Sequence, residues 1–242
     1  MKDKLLGLLK QVLTRFEQVK AFDFDETLTR IHTFKDRNLD PVSNIKTGIP
    51  FSKDSQDLLA VVTDHDDPHF VLDYLLILLN RPKNTAYQCI SMPIAEHYQV
   101  TVYLLGEELY PVIILSNPET HRDAFRKNSR LEALLSLLME TELIDQTTPV
   151  RYYEDDIRNL MACDLSIILK NRPNFKRYLV SNHPENGNFN STLYAPTNYS
   201  VTWFSTSPPP SPPPSPKETR KPLPDGLVFS IEEDDEGWLN KP

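Results

Sequence analysis

Short apolar runs, separated by segments of helical periodicity, constrain this chain more than any other feature. Val19 to Asp25, Leu58 to Val62, Val100 to Leu105, Val112 to Leu115 and Val150 to Tyr153 each have the length and composition of one strand. Between them, His69 to Leu79 reads as helix. Asn128 to Leu143 also has helical spacing, with Leu131, Leu134, Leu135, Leu138 and Met139 on one face. An amphipathic helix opens the chain, with Leu5, Leu9, Val12, Leu13, Phe16 and Val19 at spacings of three and four. Strands alternating with helices predict an α/β fold: a Rossmann-like parallel sheet with right-handed crossovers, flanked by helices. In such sheets the chemistry gathers at the carboxyl ends of the strands.

Glycine and proline delimit what that sheet can carry. The 242 residues hold 6 glycines and 21 prolines. Gly7, Gly48, Gly106 and Gly187 stand alone, so neither G-x-G-x-x-G nor G-x-x-x-x-G-K-[ST] can be written. The prolines concentrate between Pro208 and Pro224, in a stretch that favours polyproline II. Residues 1–204 are expected to fold. Residues 205–242 are expected to form a disordered Pro-rich tail ending in the acidic run Glu232 to Glu236.

The net charge of -8, with no basic stripe, argues against nucleic acid as a partner. No apolar run reaches the roughly 20 residues of a transmembrane segment, and Asp3, Arg15 and Glu17 interrupt any N-terminal signal peptide. Cys89 and Cys163 are expected to be buried free thiols in a reducing compartment.

The strongest chemical signal is Phe22-Asp23-Phe24-Asp25-Glu26-Thr27-Leu28-Thr29. Two aspartates two apart, just past a strand, project to one side of the chain. That suits one carboxylate as nucleophile and one as acid/base. A second pair, Asp155 and Asp156, follows the strand ending at Tyr153. If both strands are central, four carboxylates meet at one sheet edge and repel one another. A divalent cation resolves this, and hard oxygen ligands favour Mg2+.

These residues carry a family resemblance. FDFDETLT resembles motif I of the haloacid dehalogenase (HAD) superfamily, hydrophobic-D-x-D-x-T, and RYYEDD resembles its motif IV. The resemblance implies a HAD-like Rossmannoid core and magnesium-dependent hydrolysis of phosphate monoesters. Asp23 is then the nucleophile that forms an aspartyl-phosphate, and Asp25 the general acid and base. Mg2+ is held by Asp23, the Asp25 backbone carbonyl and the Asp155/Asp156 pair. The hydroxyl that binds the phosphoryl group falls on Thr63 or Ser116, with Thr63 preferred as one strand–helix unit after motif I. The neutralising cation falls on Lys127, with Arg122 and Arg126 as competitors.

A narrower likeness covers about 20–180. VVTDHDDPHFVLDYL, YPVIILSNP, FRKNSRLEALL and IDQTTPVRYYEDDIRN resemble HAD-fold effectors of Legionella, a group that includes protein-tyrosine phosphatases. It implies a phosphotyrosine phosphoprotein as substrate, with a small-metabolite phosphatase or phosphotransferase as the alternative that the shared superfamily motifs leave open. It also implies export by type IV secretion into the host cytoplasm, through an acidic C-terminal signal. The gaps after Thr27 and Thr63 leave room for a small cap or none, which favours macromolecular substrates. His32, Phe34, His65 and His69 are candidates to line the opening. P-x-x-P steps at Pro209–Pro212 and Pro213–Pro216 offer a host partner a docking site, but Lys217 is misplaced for SH3 binding and a flexible spacer is the better reading.

Overall fold

Asp57-Leu-Leu-Ala-Val-Val62 has no exposed position, which only a strand covered on both faces can satisfy. In the computed structural model it is β2, and it lies beside β1, Gln18–Phe22, in parallel register from Gln18↔Asp57 to Phe22↔Val61. The structure describes residues 2–9, 16–33, 38–51, 56–95, 98–117, 127–181 and 187–195. Met1–Asn198 form one compact unit. The tail from 205 onward, Phe34, Arg122 and Arg126 lie outside the described residues.

The remaining strands are β3 (Tyr87–Ala95), β4 (Tyr98–Leu105), β5 (Tyr110–Ser116), β6 (Val150–Glu154), β7 (Phe175–Val180) and β8 (Ser191–Leu193). The sheet order is β3-β4-β5-β2-β1-β6-β7-β8. The five central strands, β5-β2-β1-β6-β7, are parallel throughout. The outer pairings are antiparallel, which corrects the expectation of a wholly parallel sheet. The sheet is therefore mixed, within an α/β fold flanked by helices.

The helices are α1 (Lys2–Leu9), α2 (Pro41–Asn44), α3 (Pro68–Leu78), α4 (Lys127–Glu140), α5 (Ile157–Ala162) and α6 (Ile167–Lys170). Two apolar cores fill the two faces of the sheet. One joins Val19, Ala21, Leu58, Ala60, Val62 and Tyr152 to Leu5 and Leu9 of α1 and to the leucines of α4. The other joins Phe22, Leu59, Val61 and Tyr153 to Val71, Leu72 and Leu75 of α3. The period-two alternation of β1, β2 and β6 feeds both. Leu131, Leu134, Leu135 and Leu138 are fully buried, and each contributes about 1.5–3 kcal/mol. The helical periodicity of the first segment runs too far, because Val19 belongs to β1.

Neither long connection forms a separate domain among the described residues. The stretch after β1 folds back through α2 and the bridge Thr29↔Ile45, and the stretch after α3 enters the sheet as β3 and β4. No helix among the described residues is long and apolar enough to cross a membrane. Cys163 is buried, its thiol donating to the Asn159 carbonyl at 3.4 Å, whereas Cys89 is exposed, contrary to expectation.

Candidate functional site

The connection after β1 runs to the α3 face of the sheet, and the chain after β6 runs to α5 on the other. β1 and β6 are neighbours, from Val19↔Val150 to Phe22↔Tyr153. Their carboxyl ends thus flank the crevice of a topological switch point, where open α/β sheets bind ligands. Asp23 extends the ladder by one bond, its N–H donating to the Tyr153 carbonyl at 2.9 Å. This brings Asp23, Glu154 and Asp155 together, with a carboxylate oxygen of each within 4.8 Å of the others.

Lys127, the first residue of α4, is buried against this cluster. Its Nζ lies 2.7 Å from Asp23 Oδ1 and 3.4 Å from both Glu154 oxygens. Glu154 is fully buried and accepts from the Tyr152 hydroxyl at 2.5 Å and from the Asp156 N–H at 3.2 Å. Asp155 accepts from Thr27 Oγ1 at 2.9 Å.

Three carboxylates cluster with one lysine, which touches two of them, and their proton affinities register the shortage of positive charge. Burial pushes Asp23 up to about 8, aided by Asp155 and Asp25 and opposed by Lys127. Burial and Asp23 push Glu154 up to about 7. Burial and Glu154 push Asp155 up to about 6. Against the lowering effect of its own burial, Asp23, Glu154 and Asp64 hold Lys127 above the ordinary lysine range, so it stays charged. Such a cluster takes up either protons or a cation. All the donors are carboxylate oxygens, which fits a hard divalent ion such as Mg2+.

Asp25 is held beside the cluster rather than in it. Its Oδ1 accepts from the Thr33 N–H at 2.7 Å and hydroxyl at 2.6 Å, and His32 Nδ1 lies 3.6 Å from Oδ2. Between them Glu26 adopts φ 60, a left-handed conformation uncommon for a non-glycine residue. Thr29 Oγ1 fixes that turn by accepting the Glu26 N–H at 3.0 Å.

Asp156 does not join the cluster. Its carboxylate caps α5, accepting from the Arg158 N–H at 2.9 Å, and pairs with the Arg158 guanidinium at 2.6 Å. Of the expected pair 155/156, only Asp155 lies in the cluster, with Glu154 beside it. Thr63 lies at the end of β2, next to β1, with its hydroxyl accepting from the His65 N–H at 3.0 Å. Ser116 is buried at the end of β5, one strand further from β1. His65 is buried and stacked on Phe70 at 4.8 Å, and its Nδ1 accepts from the Asp67 N–H at 3.1 Å. His69 meets the Tyr103 hydroxyl at 3.1 Å.

Glu154, Arg130 and Lys46 also reach this region, and no motif in the sequence singles them out. Arg130, one turn after Lys127, is buried and donates to the Thr63 carbonyl at 2.6 Å and to Asp64 at 2.5 Å. Its guanidinium lies 4.7 Å from the centre of the Tyr98 ring. Lys46 is buried and donates to the Glu26 carbonyl. A cavity of about 450 Å³ opens beside Asp155, walled by Leu179, Val180, Ser181, Asn190 and Thr192.

No family model, no curated protein and no solved structure matches this chain.

Proposed function

We propose that the chain is a magnesium-dependent phosphomonoesterase of the HAD type, acting through an aspartyl-phosphate on Asp23. The observation that carries this reading is the meeting of Asp23, Glu154 and Asp155 at the switch point, with Lys127 against them. The motif resemblance and the mixed α/β sheet with a parallel centre support it.

Asp23, Glu154 and Asp155 are the side chains that would hold the cation. When bound, Mg2+ offsets negative charge on the phosphoryl oxygens and on the cluster. Asp23 attacks phosphorus through a carboxylate oxygen, the phosphorus–oxygen bond to the leaving group breaks, and Asp25 supplies the proton to that oxygen. Asp25 then takes a proton from the water that hydrolyses the acyl phosphate. Thr33 and His32 orient the Asp25 carboxylate for both transfers. Lys127 holds Asp23 in position and neutralises part of the charge that accumulates. Thr63, pinned through its carbonyl by Arg130, places a hydroxyl on the neighbouring strand end.

Phosphotyrosine in a phosphoprotein is the favoured substrate. The resemblance to Legionella effectors points to it, and no separate domain covers the carboxyl edge among the described residues. A panel of phosphotyrosine peptide, phosphoserine peptide and sugar phosphates, with and without Mg2+, tests this on the full chain. Turnover of phosphotyrosine that is lost on adding EDTA is expected. Activity confined to a sugar phosphate would reverse the substrate assignment. Delivery to a host cell rests on the same resemblance and on the acidic run Glu232–Glu236. A translocation reporter should lose export when that run is deleted.

A further inference from the structure

Two buried lysines approach the carboxylate cluster, and they are spent differently. Lys127 has ion-pair contacts to Asp23 and Glu154. Lys46, 4% exposed, makes its one ammonium hydrogen bond among the described residues to a neutral carbonyl, that of Glu26. It has no carboxylate at ion-pair distance among those residues, although Asp155 and Asp23 lie close enough for their charge to act on it. Burial lowers its proton affinity, and those two carboxylates with Glu26 oppose the effect. An ammonium has three donors. Withdrawing it from water without a counterion is costly.

The fold fixes it there from both sides. The Lys46 N–H donates to the Leu28 carbonyl at 2.8 Å, next to the bridge Thr29↔Ile45. The Thr47 N–H donates to the Gly187 carbonyl at 2.8 Å, and Thr47 bridges Asn188. The segment from Gly187 runs on to Asn190 and, in β8, Thr192, which wall the cavity beside Asp155. Lys46 is thus held at the junction of the Asp23 turn and that cavity wall.

We propose that Lys46 is the substrate-anion ligand of this site, donating to a non-bridging phosphoryl oxygen of a phosphate monoester brought to Asp23. Lys127 serves the protein's own carboxylates, and Lys46 keeps donors for the incoming anion. This rests on the phosphoryl-transfer reading above.

The test measures binding of inorganic phosphate by calorimetry in saturating Mg2+, together with Mg2+ affinity, melting temperature and kinetics on p-nitrophenyl phosphate. Wild type, Lys46→Met and Lys46→Arg are compared. Losing a charge-assisted hydrogen bond should weaken phosphate binding in Lys46→Met by at least about tenfold. KM should rise by a similar factor, with Mg2+ affinity undiminished because a nearby positive charge has gone. Lys46→Arg should recover most of the phosphate affinity. Unchanged phosphate affinity in a folded Lys46→Met protein would overturn the proposal. So would loss of Mg2+ and phosphate binding together in both variants, which would make Lys46 a brace for the Glu26 turn. Wild type that neither binds phosphate nor hydrolyses any monoester would instead overturn the phosphatase reading itself.

Discussion

Glu154 adds a third carboxylate to the crevice. It is fully buried, it touches Lys127, and the Tyr152 hydroxyl fixes its orientation. Glu154→Gln should weaken Mg2+ binding by at least about tenfold, measured by calorimetry. In metal-free protein at pH 8 the same change should leave the melting temperature equal or higher, because one of three crowded carboxylates is gone. At this scale the sequence was only partly legible. Asp23 and Asp155 could be named because they follow strand ends, and Lys127 because the family resemblance implies a cation near the start of that helix. The run Glu154-Asp155-Asp156 holds three acids, and strand length decides which of them serve. Asp156 directly precedes helical residues, a position whose carboxylate is used up in capping. That signal was present in the sequence. Lys46 had none, since it reaches the site only through the pairing of residues 45–47 with two distant segments.

Helix α4 is the element that ties the core to the chemistry. Its apolar face packs the sheet, while Lys127 and Arg130, three residues apart, reach the ends of β1 and β2. Leu135→Ala should cost about 2–5 kcal/mol, read from denaturant unfolding, because the site is fully enclosed. Arg130→Met should cost about 2 kcal/mol by stranding the Thr63 carbonyl, and it should lower kcat without weakening Mg2+ binding. The five leading strand candidates and α3 and α4 were legible from their apolar periods. β3 was not. Its apolar residues Ile90, Met92 and Ile94 alternate with polar or exposed ones, and Pro93 reads as a break. Pro93 is tolerated because β3 is an edge strand with a register irregularity there. β7 and β8 carry too few consecutive apolar residues to stand out, with Lys176 and Arg177 inside β7.

For the whole molecule, the crowded cluster links folding to protons and, under the proposed function, to the metal. Asp23 titrates near 8 when folded against an ordinary 3.8, and Glu154 and Asp155 are shifted the same way. The folded state therefore holds these protons more tightly than the unfolded chain. The stabilisation they give is complete at pH below about 4 and is lost as pH rises towards 8. Metal-free protein should melt at progressively lower temperature from pH 5 to pH 8. The gain in melting temperature on adding Mg2+ should grow over the same range, since cation and protons compete for the same oxygens. A gain independent of pH would place the metal elsewhere.

The proposed attack by Asp23 on phosphorus, beside a metal held at the switch point, is tested on one substrate. Hydrolysis of p-nitrophenyl phosphate is followed as Mg2+ is titrated into EDTA-treated wild type and Asp23→Asn, with folding of both checked by melting. Saturable activation of the wild type is expected, with kcat reduced at least about a thousandfold in the folded variant. Full turnover by Asp23→Asn, or wild-type turnover indifferent to Mg2+, would contradict it.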